Sequence, residues 1–317
     1  MNRNFLHPFF LIFIFLSTSF SFSQDFTAVD TKVRSYPETR LNSVHELAGM
    51  INQDFSSNIE KVRAIYTWIT SNVAYSYDAR STMSITYYSE EERIRKMQRY
   101  QDVLANITLK SKKAVCHGYS LLFNELCEQL GIESRVIRGF GKSYVSDIGA
   151  EYVSNHAWNM VTIEGKDYLI DATWGAGSMN GNHFKREVTY LYFLTPPEFF
   201  IKNHYPDNFS DSLLEEHVNK RSFLMNPVVF EKALSQYALI NPGIGVLRMK
   251  SIEQFEIESK RPIGKIRYYM DGNFHDVESL LIQNNRYSFK IDLNGHYDRE
   301  LLIYLNDEAA FGFKVRP

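Results

Sequence analysis

The chain has 317 residues and a formal charge of −2, with 35 Lys and Arg against 37 Asp and Glu. That balance excludes the basic footprint of a nucleic-acid binder, and the length suits one large or two ordinary domains. With 23 Phe and 20 Tyr, aromatic packing is expected to dominate the core.

The first residues speak to compartment. Arg3 gives a small positive start, Phe9 through Leu16 form an uninterrupted apolar run, and Ser21-Phe22-Ser23 places small residues where a signal peptidase reads. A cleaved signal over residues 1–23 and a mature chain from Gln24 are therefore expected. A membrane anchor needs about 20 apolar residues, more than this run offers, and no cysteine follows it to take a lipid. The expectation is a secreted or periplasmic protein with no membrane span after signal removal.

Further along, residues 44–52 read as helical. A clearer helix spans Asn58 to about Asn72, with Ile59, Val62, Ile65, Tyr66 and Ile69 at helical spacing and Ser57 as its cap. Residues 73–112 read as less regular, apart from a solvated helical piece from Glu90 to Arg99 carrying Glu91–Arg95 and Glu92–Lys96 at i,i+4. The segment from His117 to Leu130 reads as one helix closed by Gly131. The period then changes to two. Ile132–Phe140 is expected to be a strand, and residues 141–154 a Gly/Ser-rich loop. His156–Ile163 and Asp167–Trp174 are expected to form a hairpin about Glu164-Gly165. Thr195-Pro196-Pro197 breaks the chain, and residues 198–240 are mixed. From about Pro242 the pattern is strand-like, with turns at Asp271-Gly272 and Asn294-Gly295, which suggests a small β-sandwich.

The two cysteines, Cys116 and Cys127, are eleven positions apart on the expected helix. That separation is about 16 Å of rise, beyond the ~7 Å between Cα atoms that a disulfide tolerates, so both thiols are expected to be free. Cys127 sits mid-helix beside Leu126 and Leu130 and reads as core. Cys116 stands where a helix begins, after Lys110-Ser111-Lys112-Lys113, and the positive end of the helix dipole there favours thiolate over thiol. The same free N–H groups can hold an oxyanion. In the hairpin register, Thr173 faces His156 and Asp171 faces Trp158, which makes Asp171 the diagonal neighbour of His156. A carboxylate there can fix one ring nitrogen and aim the other at a thiolate. Taken singly, each residue also has a plain reading: a small buried hydrophobe, a strand histidine, a turn-proximal carboxylate. Their conjunction points to a Cys–His–Asp triad.

Ala114-Val115-Cys116-His117-Gly118-Tyr119-Ser120 resembles the nucleophile motif of the transglutaminase-like superfamily. Asn155-His156-Ala157-Trp158-Asn159 resembles its histidine motif, and Asp171-Ala172-Thr173-Trp174-Gly175-Ala176-Gly177 its aspartate motif, in the superfamily's order. Three further stretches look like the kyphoscoliosis-peptidase branch: Ala64 to Ile69 leading to Tyr77-Asp78, the Thr-Trp-Gly-Ala-Gly run, and Tyr192-Phe193-Leu194 through Pro197-Glu198 to His204-Tyr205-Pro206. The resemblance covers roughly residues 55–235.

It implies an α+β, papain-like core, with a nucleophile helix packed on an antiparallel sheet, and acyl transfer through a thioester. Cys116 matches the nucleophile, His156 the base and Asp171 the third member. No cofactor or metal is implied, since the calcium sites of the animal enzymes have no evident counterpart. His117 receives no role, Trp68 is assigned to the core, and Trp158 and Trp174 either line an acyl groove or pack the hairpin. The resulting organisation is a signal (1–23), a transglutaminase-like catalytic domain (24–205), a connecting segment (206–240) and a C-terminal β-rich domain (241–317). The expected activity is that of a cysteine peptidase on a protein or peptide substrate, with water resolving the acyl-enzyme. A glutamine cross-linking transferase and a non-catalytic interaction module are the alternatives. The C-terminal domain, free of triad residues, is available for a protein or cell-surface partner, and the site thiol is expected to stay reactive without it.

Overall fold

The computed structural model describes residues 25–36, 42–79 and 86–317. The apolar run Phe9–Leu16 and the cleavage point before Gln24 lie outside the described residues. The N-terminal half opens with α1 (Thr27–Arg34), α2 (Val44–Asp54) and α3 (Asn58–Asn72). Ser57 starts α3 with a capping box: its hydroxyl accepts the Glu60 N–H at 3.4 Å while the Glu60 carboxylate accepts the Ser57 N–H at 3.3 Å. Helix α3 is buried on more than its apolar stripe because α1 lies across it. Arg63 donates twice to Asp30, each at 2.8 Å, and Thr67 donates to the same carboxylate at 2.6 Å, so the buried charges are fully paired.

Strand β1 (Ala74–Tyr75) leaves α3 and pairs in parallel with β2 (Lys113–Ala114). Between them runs α4 (Glu90–Ser111), a helix of 22 residues where the sequence reading has a helical piece only over 90–99. Its first turns are the expected solvated piece, with a Glu92–Lys96 ion pair at 2.8 Å. Its last turns bury Leu104, Ala105, Thr108 and Leu109 on α5 (Cys116–Gln129). That stripe is short, and Val103 and Ile107 beside it remain exposed, which blurs the period in the sequence. Helices α4 and α5 approach closely at Gly118, where a Cβ would stand 2.8 Å from both the Ala114 Cβ and the Thr108 Oγ1.

Helix α5 rests on a four-stranded antiparallel sheet of order β5 (Lys166–Ile170), β4 (His156–Ile163), β3 (Ser134–Gly141) and β8 (His204–Pro206). Tyr119, Phe123, Leu126 and Cys127 of α5 share one core with Val161, Ile163 and Ile170 of the sheet and Ile65 and Ile69 of α3. Each fully buried side chain of this size contributes roughly 1.5–3 kcal/mol of burial free energy. After β5 come α6 (Ala172–Ala176), a hairpin of β6 (Gly177–Asn180) and β7 (His183–Arg186), and α7 (Pro197–Phe200). A short α8 (Lys220–Met225) precedes β9 (Val228–Val229).

From Tyr237 two sheets face one core. One has the order β10 (Tyr237–Asn241), β12 (Ile252–Ser259), β16 (Arg286–Asp292), β15 (Glu278–Gln283). The other has the order β11 (Val246–Arg248), β18 (Glu308–Arg316), β17 (Glu300–Leu305), β13 (Ile266–Met270), β14 (Asn273–Asp276). Phe255 stacks on Phe289 at 5.3 Å within the first sheet and meets Phe313 of the second edge-on at 5.4 Å. At the turn between β13 and β14, Asp271 and Gly272 have φ of 51° and 75°, the left-handed pair a two-residue hairpin requires. Strand β9, though it precedes the sandwich in sequence, pairs with β18 and so belongs to the second sheet. Among the described residues no helix is long and apolar enough to cross a membrane.

Candidate active site

Lys112 ends α4 in a left-handed conformation, φ 53°, and the β1–β2 pairing then draws the chain straight into α5. Cys116 is therefore the first residue of α5, one position earlier than the sequence suggested, with Val115 as a cap that offers no side-chain acceptor. A helix leaves its first N–H groups without intrahelical partners, and here the Gly118 N–H already donates to the Val115 carbonyl at 2.9 Å. Two anchors fix α5 against its surroundings. The Tyr119 hydroxyl donates to the Val73 carbonyl at 2.7 Å, and the buried Asn159 amide donates to the Ser120 carbonyl at 3.0 Å. The second anchor ties the cysteine's helix directly to the histidine's strand.

His156 opens β4 opposite Gly139. Asn155 clamps the neighbouring peptide from both sides, accepting from the Gly141 N–H at 2.7 Å and donating to the Gly141 carbonyl at 3.2 Å. The hairpin register is the expected one, with Ile163 opposite Lys166 and Asn159 opposite Ile170. The pairing stops there. Asp171 is not a strand residue, as the sequence reading had it, but the N-cap of α6, where Oδ1 accepts the N–H groups of Thr173 at 2.8 Å and Trp174 at 3.1 Å. The cap turns the carboxylate so that Oδ2 lies 2.7 Å from His156 Nε2. With Nε2 engaged, Nδ1 is the ring atom left for the Cys116 thiol, whose acidity both His156 and the Ala157 N–H favour. The structure thus brings Cys116, His156 and Asp171 together.

Burial pushes the Cys116 thiol up, but the hydrogen bond and charge of His156 outweigh it, so the thiol lies below its ordinary value. Burial opposes a charged His156, yet the Asp171 carboxylate prevails and the ring rises to about 10. Asp171 is wholly buried and is still held well below the usual carboxylate range, by His156 first and by His204 after it. Cys127 is the contrast: burial alone raises it to about 12. Both thiols are free. In the folded protein iodoacetamide at pH 6 is expected to label Cys116 within minutes and to leave Cys127 unlabelled until denaturant is added; peptide mapping of the alkylated chain reads both.

His204, on β8, joins the cluster as a residue to which the sequence motifs assign no role. Its Nε2 lies 3.0 Å from the same Asp171 Oδ2. His156, Asp171 and His204 have ligand atoms within 4.8 Å of one another, a donor set able to hold a metal. As arranged, the contacts of 2.7 and 3.0 Å are hydrogen-bond lengths.

A cavity of about 440 Å³ opens beside His156, walled by Tyr75, Trp174, Tyr192, Phe230 and Glu231. The chain neighbours of Cys116, Val115 and His117, border a second cavity, of about 470 Å³. Of the two tryptophans left open by the sequence, Trp174 lines the first cavity, whereas Trp158 is 1% exposed and packs on Phe200 and His204. Trp68 lies in the core as expected. The wall at residues 228–231 stands on the last strand: β9 pairs with Phe311 and Gly312, and the Phe230 N–H donates to the Ala310 carbonyl at 2.9 Å. The C-terminal sheets thus hold one wall of the cleft, although they supply no triad residue.

Residues 45–171 match the family model of the transglutaminase-like superfamily. Over that stretch the chain is similar to the transglutaminase-like superfamily. It is 31% identical over 186 residues to kyphoscoliosis peptidase of Mus musculus, covering 57% of this chain and 26% of that protein. The human kyphoscoliosis peptidase gives 31% over 192 residues, 59% and 27%. A solved structure of a TGase aligns with 55% of this chain and 38% of its own at 20% identity, with a TM-score of 0.28. The chain spans about a quarter of the length of the curated relatives it matches. The matched residues include the helix-on-antiparallel-sheet arrangement that the motifs imply, and a strand-rich C-terminal part follows.

Proposed function

We propose that the protein is an exported cysteine-dependent acyl-transfer enzyme that cleaves peptide or glutamine-type amides through a thioester. The observation that carries this is Cys116 at a helix N-terminus, against a histidine whose far nitrogen is held by a buried carboxylate. In this reading the Cys116 thiolate attacks the amide carbonyl carbon, and N–H groups at the start of α5 receive the oxyanion. His156 then gives its proton to the departing amine as the C–N bond breaks, leaving an acyl-thioester. Water, deprotonated by His156, attacks that thioester and releases the acid and the free thiolate.

Hydrolysis is favoured over transfer to an amine because the mammalian relatives are named as peptidases. The aromatic cleft beside His156 suits an extended peptide with apolar side chains. A peptide library incubated together with an amine probe tests the reading. Cleavage that disappears in Cys116→Ala supports the peptidase, and probe incorporation would select a transferase instead. If neither appears and Cys116→Ala still performs the protein's task in the cell, the domain is an interaction module. Export rests on residues 1–23, and N-terminal analysis of protein from the native host is expected to find Gln24 or its cyclised form. Retention of Phe9–Leu16 would overturn it.

A further inference from the structure

One carboxylate serves two imidazoles. Each oxygen of Asp171 accepts two donors: Oδ1 takes the Thr173 and Trp174 N–H groups, and Oδ2 takes His156 at 2.7 Å and His204 at 3.0 Å. A carboxylate has about four acceptor sites, so this one is saturated. His204 is 1% exposed and boxed by aromatic rings, with Phe200 stacked at 4.0 Å, Trp174 at 4.3 Å and Trp158 at 5.2 Å. Its Nδ1 has no hydrogen-bond partner, and the Phe200 carbonyl is its polar neighbour.

These facts fix the tautomer. A carboxylate oxygen accepts only, so His204 Nε2 must carry a proton. A second proton on Nδ1 would put a cation in a buried aromatic box, with only the Phe200 carbonyl beside it to receive the new N–H. The titratable groups facing the ring are Asp171, His156 and the Tyr192 hydroxyl. Burial, the larger influence, and the His156 charge keep the ring below its ordinary value despite Asp171.

We propose that His204 is a positioning residue: as a neutral Nε2–H tautomer it pins Asp171 Oδ2, and through it the ring of His156, so that Nδ1 of His156 faces Cys116. The inference rests on the catalytic reading above. Without His204, the cap donors on Oδ1 would still hold one end of the carboxylate. Oδ2 would then be free to swing, and the His156 ring with it. The aromatic box accommodates a phenylalanine, while a glutamine places an N–H donor near the position of Nε2.

The test compares iodoacetamide alkylation of Cys116 across pH 5–9 in the full-length protein and in His204→Phe and His204→Gln. His204→Phe is expected to label about tenfold more slowly at pH 6, as the midpoint moves about one unit toward that of a free thiol. His204→Gln is expected to retain most of the wild-type profile, a rescue that a purely packing role would not give. A folded His204→Phe with wild-type labelling, or a glutamine variant no better than phenylalanine, overturns the proposal. Nitrogen-15 NMR of the unmutated protein gives a second reading that does not depend on the variants folding. His204 is expected to be neutral and protonated on Nε2 across that range, and a charged ring or an Nδ1–H tautomer overturns the proposal. A wild-type Cys116 that titrates as an ordinary thiol would overturn the catalytic reading itself and this inference with it, an outcome distinct from variants matching an activated wild type.

Discussion

Labelling of Cys116 by iodoacetamide at pH 6 is expected to fall to the rate of an ordinary thiol when His156 is replaced by alanine, a thiol near ~8.5 being less than about 1% thiolate there. In the native site, burial works against the thiolate, and His156 is the chief group that outweighs it. Removing the ring leaves the Ala157 N–H alone against burial and the nearby negative charge of Asp171, both of which raise the thiol. The midpoint of the alkylation profile is therefore expected to move up to or beyond that of a free cysteine. Turnover is expected to fall further than labelling does, since His156 also delivers the proton to the leaving amine, a contribution of about 10²–10⁴-fold. The sign of the pH dependence follows from the same shifts. In the native protein, activity rises as pH climbs through the lowered thiol value and falls as His156 loses its proton near 10. Only the rising limb is expected in labelling, since alkylation needs the thiolate alone. An unchanged labelling midpoint in a folded His156→Ala protein would show that the helix N-terminus, and not the imidazole, activates the cysteine.

The parts of this site legible in the sequence are those set by local rules. Helix α3 begins at the cap read for it, and the hairpin carries its two-residue turn and register, because a one-residue slip would move Met160 and Leu169 off their buried face. What the sequence hid depends on contacts distant along the chain. Asp171 was expected on a strand because Ile170 and Ala172 continue the apolar pattern, yet the chain turns into α6 there and the carboxylate becomes a cap. His204 is 33 residues beyond Asp171 and reaches it only because β8 pairs with β3, across the sheet from β5. Its one local sign was a histidine set among Phe199, Phe200, Ile201 and Tyr205, where a polar ring calls for a partner. The cleft wall at Phe230 and Glu231 was equally unreadable, since it stands on a strand more than 75 residues away. Helix α4 was curtailed for a different reason: only its last turns bury enough apolar surface to show a period.

Asp171→Asn is expected to lower turnover by about 10⁴-fold while leaving substrate affinity largely intact, the size of effect seen when a triad carboxylate is made an amide and the histidine adopts the wrong tautomer. The geometry makes the amide a poor substitute here. Its oxygen is needed at the Oδ1 position, where the Thr173 and Trp174 N–H groups at 2.8 and 3.1 Å cap α6. The NH₂ group then faces two Nε2 atoms that at present donate to Oδ2. For each to accept from the amide, its proton must move to Nδ1. On His156 that places an N–H against the Cys116 sulfur, and the base is lost. On His204 the Nδ1 proton would point toward the Phe200 carbonyl, so the aromatic box gives little resistance to the wrong state. If the amide flips instead, the helix cap is lost and the effect appears as lower stability. The stability signature separates the cases. Asp171 has its folded value depressed below the unfolded one, so its contribution is present above about pH 4 and is lost as pH falls through the folded value. His156 has its folded value raised, so its contribution is present below about pH 6.5 and is lost as pH rises through about 10. Thermal melts from pH 3 to pH 10 are therefore expected to show both slopes in the native protein and neither in Asp171→Asn. An asparagine variant that retains native turnover and both slopes would remove Asp171 from the mechanism.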